Sequence, residues 1–274
     1  MTIAQFRRTV WAHYKKYGRH DLPWRPPTLK LRRDKTLDPY RVLVSEIMLQ
    51  QTQVERVIPF YKNFIKQFPT AKSLAGASLS QVLTAWQGLG YNRRAKMLHQ
   101  AAKEFARRKT RTVAEWEALP GVGPYTARAV AAFARNEDVV FVETNIRTVV
   151  IQHFFPKKKK VSDIQIQKVL VLALPKGRAR EWYSALMDYG AYLKRSGISH
   201  NTKSRTNAKQ SRFAGSLREA RGAILRRLAV GSAPSTDVVG LLGTSRRPQM
   251  RAALRALFAE RLVKKKGANY ALAD

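Results

Sequence analysis

Apolar residues recur along residues 2–17 at steps of three and four, with Phe6, Val10, Tyr14 and Tyr17 on one stripe. That period predicts an amphipathic helix, ended by Gly18. Asp38-Pro39 supplies an N-cap followed by proline at the first turn, which opens a helix from Tyr40 to about Gln53. Further helices are predicted at about 57–68, 79–86 and 94–107, the last with Leu98, Ala101 and Ala102 inward and basic residues outward. An Ala-rich helix runs from Tyr125 to Ala134, and another begins after Glu143, beyond the short apolar run Val139 to Val142. A helix at about 217–229 and a short one capped by Ser235 or Thr236 precede a last amphipathic helix, Met250 to Arg261. Only the ending, LVKKKGANYALA, reads as two short strands, joined at Lys266 to Asn269. The expected fold class is therefore all-α, with a small α+β piece at the C-terminal end.

One stretch breaks a helix and restarts it within six residues, Leu119-Pro120-Gly121-Val122-Gly123-Pro124. The glycines allow close backbone approach, and Pro124 suits the first position of the next helix. Helix, GVG turn and helix form a helix-hairpin-helix. Such a turn can hold a DNA phosphate on backbone N–H groups, here those of Gly121, Val122, Gly123, Tyr125 and Thr126.

Charge sharpens this expectation. The 274 residues carry 52 Lys+Arg against 18 Asp+Glu, a formal net charge of +34. So strong a bias calls for a polyanionic partner, and nucleic acid is the default. No run approaches the length of apolar sequence that spans a membrane, and no secretory leader opens the chain, so a cytoplasmic protein without a membrane partner is expected. With no cysteine, a disulfide, a thiolate nucleophile and a cysteine-ligated metal or iron–sulfur cluster are excluded. The histidines at 13, 20, 99, 153 and 200 lack ligand spacing. Neither a metal nor a cofactor is expected.

Two carboxylates stand out as candidate chemistry. Glu46 lies in SEIMLQQTQ among Leu43, Val44, Ile47 and Leu49, and a carboxyl in apolar company tends to keep its proton, the state a general acid needs. Glu143 lies roughly 20 residues beyond the hairpin, just before a helix. Between them, GLGYNRR is a glycine-bent turn with Tyr91 at its tip and Arg93 and Arg94 behind it, a combination suited to insertion into a DNA base stack.

In this order LPWR (22–25), SEIMLQQTQVERVIPFY (45–61), GLGYNRRAKMLHQAA (88–102), LPGVGPYTARAV (119–130), VETNIRTV (142–149) and ALMDYGA (185–191) resemble the MutY adenine DNA glycosylases of the helix-hairpin-helix/GPD superfamily. The resemblance covers roughly residues 5 to 195. It implies a two-lobed helix-hairpin-helix glycosylase core over 1–195, with one six-helix lobe at about 40–135 and a second from 1–39 and 136–195. It further implies that Glu46 is the general acid toward adenine N7 and that Glu143 steadies the oxocarbenium-like sugar, with Asn145 beside it. Gln51 and Tyr91, with Gln50 next in sequence, match the residues that enter the base stack. Tyr125 stands where bifunctional relatives keep a Schiff-base lysine, so the resemblance implies base release without an efficient strand-cleaving step.

The sequence departs from the family at three places. Glutamate replaces the usual aspartate at 143. Where the family's iron–sulfur cluster follows ALMDYGA, this chain has a stretch (194–218) with seven Lys or Arg and no acidic residue, read as a basic linker over 196–215. The family's longer domain for reading oxidised guanine has no counterpart. Residues 216–274 read instead as a winged-helix-like domain, with 247–260 as the groove helix and 262–272 as the wing; Arg246, Arg247, Lys264, Lys265 and Lys266 cluster where DNA would lie. The expected partner is double-stranded DNA with a mismatched or damaged base, met by a monomer, at the nucleoid if the source is a bacterium. Two alternatives stand beside adenine excision: a mismatch thymine or uracil glycosylase, and a non-catalytic DNA-binding protein with a degenerate core.

Overall fold

The computed structural model describes residues 1–25, 36–108, 110, 112–203 and 212–274. The Pro-rich stretch at 25–38, expected as an exposed loop, lies mostly outside the described residues, and so does the middle of the basic linker. In chain order the helices are α1 (Ile3–Tyr17), α2 (Pro39–Leu49), α3 (Val54–Gln67), α4 (Ala71–Gly76), α5 (Leu79–Ala85), α6 (Arg93–Arg107) and α7 (Val113–Glu117). They continue as α8 (Pro124–Arg135), α9 (Thr144–Phe154), α10 (Asp163–Ala173), α11 (Ala179–Arg195), α12 (Leu217–Val230), α13 (Ser235–Gly240) and α14 (Arg247–Ala259). Three short strands, β1 (Ala233–Pro234), β2 (Val263–Lys266) and β3 (Asn269–Leu272), complete a mostly helical fold.

The described chain forms two compact units. The first comprises residues 1–46, 111–118 and 122–209. Its core gathers Phe6 and Val10 of α1, Val149 and Val150 of α9, Leu170 of α10 and Trp182 and Leu186 of α11, all fully buried. The Phe6 and Trp182 rings meet edge to face with centroids 5.9 Å apart, and Trp11 packs on Trp182 from the same helix. The centre of this unit is the contact of α11 with α9. It requires glycine at 190: a Cβ there would lie 2.3 Å from the Asn145 carbonyl oxygen. The ALMDYGA motif thus brings a helix against the start of another at backbone distance.

The second unit comprises residues 47–110, 119–121 and 210–274. Here α4 packs on α6, and α12 and β3 both pack on α5. Trp86, Leu98, Leu74 and Phe64 are buried in the helical part, while Ile224, Leu228, Met250 and Leu257 are buried in the C-terminal part. The strands pair antiparallel in the order β1-β3-β2, with Val263 opposite Leu272 and Lys266 opposite Asn269. A helix, a short strand, two helices and a terminal hairpin make up the C-terminal part of this unit, a small region with a few antiparallel strands. The predicted cap of the short helix differs: the N-cap is Pro234, with no side-chain bond, and the Thr236 hydroxyl turns to Asp237 Oδ1 at 3.3 Å.

Candidate active site

In the first unit, Glu46 is only 6% exposed, on a helix whose Leu43 and Val44 are fully buried. Tyr125, in the first turn of α8, donates its hydroxyl to Glu46 Oε2 at 2.8 Å. The phenol is itself set by packing: its ring meets Phe141 edge to face, Phe141 stacks on Tyr183 at 4.0 Å, and the Tyr183 hydroxyl donates to the Val139 carbonyl. Burial raises the Glu46 pKa from 4.5 to about 7; the Tyr125 hydrogen bond and the Arg25 charge oppose this, and the Glu143 charge adds to it. Burial, followed by the charges of Glu46 and Glu143, raises the Tyr125 phenol well above its ordinary range, so it is a neutral donor.

Glu143 is the N-cap of α9. Its Oε2 accepts from the Asn145 backbone N–H at 2.7 Å, and its Oε1 accepts from the Thr144 hydroxyl at 2.5 Å and the Asn145 amide Nδ2 at 3.3 Å. Donors from two successive residues therefore hold the longer carboxylate at the positive end of a helix. Deeper in the same unit, Asp188 of α11 is buried and accepts from two arginines of the N-terminal segment, Arg19 at 2.7 and 2.8 Å and Arg25 at 2.7 and 3.0 Å. Burial alone would raise its pKa, but Arg25 and Arg19 more than reverse this and hold the carboxyl below its ordinary value. This cluster fixes Arg25, whose charge reaches Glu46.

The hairpin turn has Gly121 at φ +74°, where a Cβ would collide with Met97. Gly123 is the N-cap of α8, with no side-chain cap and Pro124 at the first helical position. Gly121 and Gly123 are exposed, whereas Val122 and Thr126 are buried, so the outward surface of the turn is backbone.

In the second unit, a pocket of about 410 Å³ is lined by Gln50, Gln51, Tyr91, Arg93 and Arg94, all named from sequence, and also by Arg218 and Arg221 of α12. Gln51 and Tyr91 have left-handed backbones, at φ +54° and +49°, a conformation costing on the order of 1–3 kcal/mol for such residues. Arg94 does not display its charge. Its guanidinium donates to the carbonyls of Ile47, Met48, Gln50 and Gly90 and to the Thr52 hydroxyl, and burial lowers its pKa to about 10. It ties the end of α2 to the Tyr91 turn. Arg218 lies over the Tyr91 ring at 5.3 Å and donates to its hydroxyl at 3.1 Å.

The superfamily profile described as HhH-GPD superfamily base excision DNA repair protein matches residues 44–173. An adenine DNA glycosylase of Mycolicibacterium smegmatis is 36% identical over 96% of this chain and 93% of its own length. One from Mycobacterium tuberculosis is 35% identical over 92% of this chain and 88% of its own. The chain belongs to the HhH-GPD superfamily, among the adenine DNA glycosylases. The fold agrees with solved structures: a thermostable thymine-DNA glycosylase aligns with a TM-score of 0.56 and 24% identity over 69% of this chain and 86% of that one. A trapped endonuclease III–DNA covalent intermediate aligns with a TM-score of 0.53 and 18% identity over 72% and 87%.

With no cysteine in the chain, the residues after α11 do not fit a cysteine-ligated cluster. Among the described residues no group of three or more His, Cys, Asp or Glu could hold a metal ion, and no helix is long and apolar enough to cross a membrane. In the C-terminal part, Arg246 pairs with Glu219 and Gln249, and Lys264 pairs with Asp274. Arg247, Lys265 and Lys266 are exposed, and so are Arg251 and Arg255 on the outer face of α14. Sequence reading missed that pair, although the step of four from Arg247 was visible. It also missed Asp188 and Arg25, which lay unassigned inside quoted motifs.

Proposed function

We propose that this base excision repair glycosylase hydrolyses the N-glycosidic bond of adenine opposite guanine or 8-oxoguanine in duplex DNA, acting as a monomer and without strand cleavage. The buried Glu46 carboxyl carries the proposal, because burial raises its pKa to about 7, so that a large fraction keeps its proton near neutrality, and Tyr125 holds it. Glu46 donates its proton to adenine N7 as the C1′–N9 bond breaks, and the bonding pair leaves with the base. The Glu143 carboxylate, fixed by Asn145, stabilises the cationic sugar. Water then adds to C1′ and its proton restores Glu46, a division of labour like that of glycosidase carboxylate pairs. Tyr125 offers no amine, so no Schiff base forms at that position.

For DNA contact the proposal assigns Gln50, Gln51, Tyr91 and Arg93 to the opened base stack, and the backbone of Gly121, Val122, Gly123, Tyr125 and Thr126 to a phosphate. Arg247, Lys265 and Lys266 are assigned to the flanking duplex, with Arg251 and Arg255 added from their exposure. A soluble protein of the cytoplasm, at the nucleoid in a bacterium, belongs to the same reading.

The test is a single-turnover assay over duplexes carrying adenine, thymine or uracil opposite guanine or 8-oxoguanine. Release of adenine, leaving an uncut abasic strand, supports the proposal. Release of thymine or uracil instead would move the chain to the mismatch thymine class, and no release from any duplex would favour the DNA-binding alternative.

A further inference from the structure

The Glu143 carboxylate is not held by α9 alone. Lys194, near the C-terminal end of α11, reaches across and donates its ammonium to the Thr144 hydroxyl oxygen at 3.0 Å. That hydroxyl donates in turn to Glu143 Oε1 at 2.5 Å. A threonine hydroxyl has one proton, so an ammonium bound to its oxygen leaves that proton for the carboxylate and fixes the direction of the chain.

The fold makes this reach possible. Gly190 brings α11 to backbone contact with Asn145, and Lys194 follows one helical turn later on the same face. Direct pairing with the ammonium would neutralise Glu143, whereas an interposed hydroxyl orients it and leaves its charge in place. Burial lowers the Lys194 pKa, the Glu143 charge opposes that, and Arg147, buried and bonded to Asp163, lowers it further. Lys194 is thus placed by the fold rather than extended into solvent.

Resting on the adenine-excision reading above, we infer that Lys194 is a positioning residue for Glu143, acting through the Thr144 hydroxyl to hold the glutamate where a developing cation forms. The relay is carried by two residues that the chemistry itself does not use.

The experiment compares the full-length wild type with Lys194→Met, Lys194→Arg, Thr144→Val and the Lys194→Met/Thr144→Val double variant in single-turnover adenine release. Lys194→Met is expected to slow release by roughly 10- to 100-fold, the scale of a misplaced catalytic group, with unchanged duplex affinity. Lys194→Arg should restore most of the rate, and the double variant should be no slower than Lys194→Met, because both changes cut one chain. Thr144 is exposed, so Thr144→Val reads the relay even if Lys194→Met folds poorly. A wild-type rate in Thr144→Val, or additive losses in the double variant, would overturn the inference.

A second readout separates this inference from the function it rests on. Affinity is measured for a duplex holding a cationic pyrrolidine abasic analogue and for one holding the neutral tetrahydrofuran analogue. Lys194→Met should lower the preference for the cation even if the wild type releases no adenine. An unchanged preference would overturn the relay, whatever the enzyme's substrate.

Discussion

The Tyr125 hydroxyl donates to Glu46 Oε2 at 2.8 Å, which leaves the other carboxyl oxygen of Glu46 to carry its proton. The pair joins the first turn of α8 to α2; Glu46 is buried, and Tyr125 is partly buried with its ring against Phe141. The arrangement makes the site sensitive to pH in two separable ways.

Adenine release needs Glu46 protonated. With its pKa raised to about 7, the single-turnover rate should fall as pH rises through about 7, whereas an ordinary glutamate would give that fall near 4.5. A pH–rate profile checks this.

Stability should follow the same group. Between 4.5 and about 7 the folded chain keeps a proton that the unfolded chain has released, so stability falls as pH rises across that window. The loss is on the order of 3 kcal/mol. Glu46→Gln removes the titration, and its melting temperature relative to wild type should rise from pH 5 to pH 8. An offset independent of pH would count against the raised pKa.

At position 143 the wild-type glutamate is held by the Asn145 N–H and the Thr144 hydroxyl. Glu143→Gln should lose most activity, since an amide cannot stabilise a cation. Glu143→Asp should also slow release, because the shorter side chain gives up these donors. A faster Glu143→Asp enzyme would indicate a site decayed from an ancestral aspartate.

Asp188 is the structural anchor of the first unit. Asp188→Asn leaves Arg19 and Arg25 uncompensated at side-chain exposures of 23% and 13%. Chemical denaturation should show a loss of about 3–5 kcal/mol.

The C-terminal part should contribute to DNA binding through exposed charge. Because α12 and β3 cover α5, deleting it would uncover the core, so charge removal is the informative change. Replacing Arg247, Arg251 and Arg255 together by glutamine should reduce the slope of log affinity against log salt by about 2 to 3.

Much of this could be read from the chain. The 3.6-residue period located α1 and α6, the Asp38-Pro39 cap opened α2, Pro124 and the alanine run marked α8, and Glu46 was identifiable because its neighbours are apolar. Helix α10 was not, since Ile164, Val171 and Leu172 are exposed and blur its apolar stripe. Helices α4 and α7 are too short to show a period. The part of Lys194 was hidden because its partner, Thr144, lies 50 residues away, and only the α9–α11 contact brings them together. The carbonyls that Arg94 binds could not be read from sequence, which shows a cation and not the backbone folded around it. Arg246 and Lys264 likewise have acidic partners that no local pattern reveals.

The central claim, that Glu46 protonates the departing base, is tested most directly by the single-turnover rate of Glu46→Gln on a duplex with adenine opposite guanine, alongside its affinity for that duplex. The amide can still accept from Tyr125, so the fold and DNA binding should persist. Base release should fall below detection while duplex affinity stays at the wild-type value. Adenine release by Glu46→Gln at the wild-type rate would contradict the account.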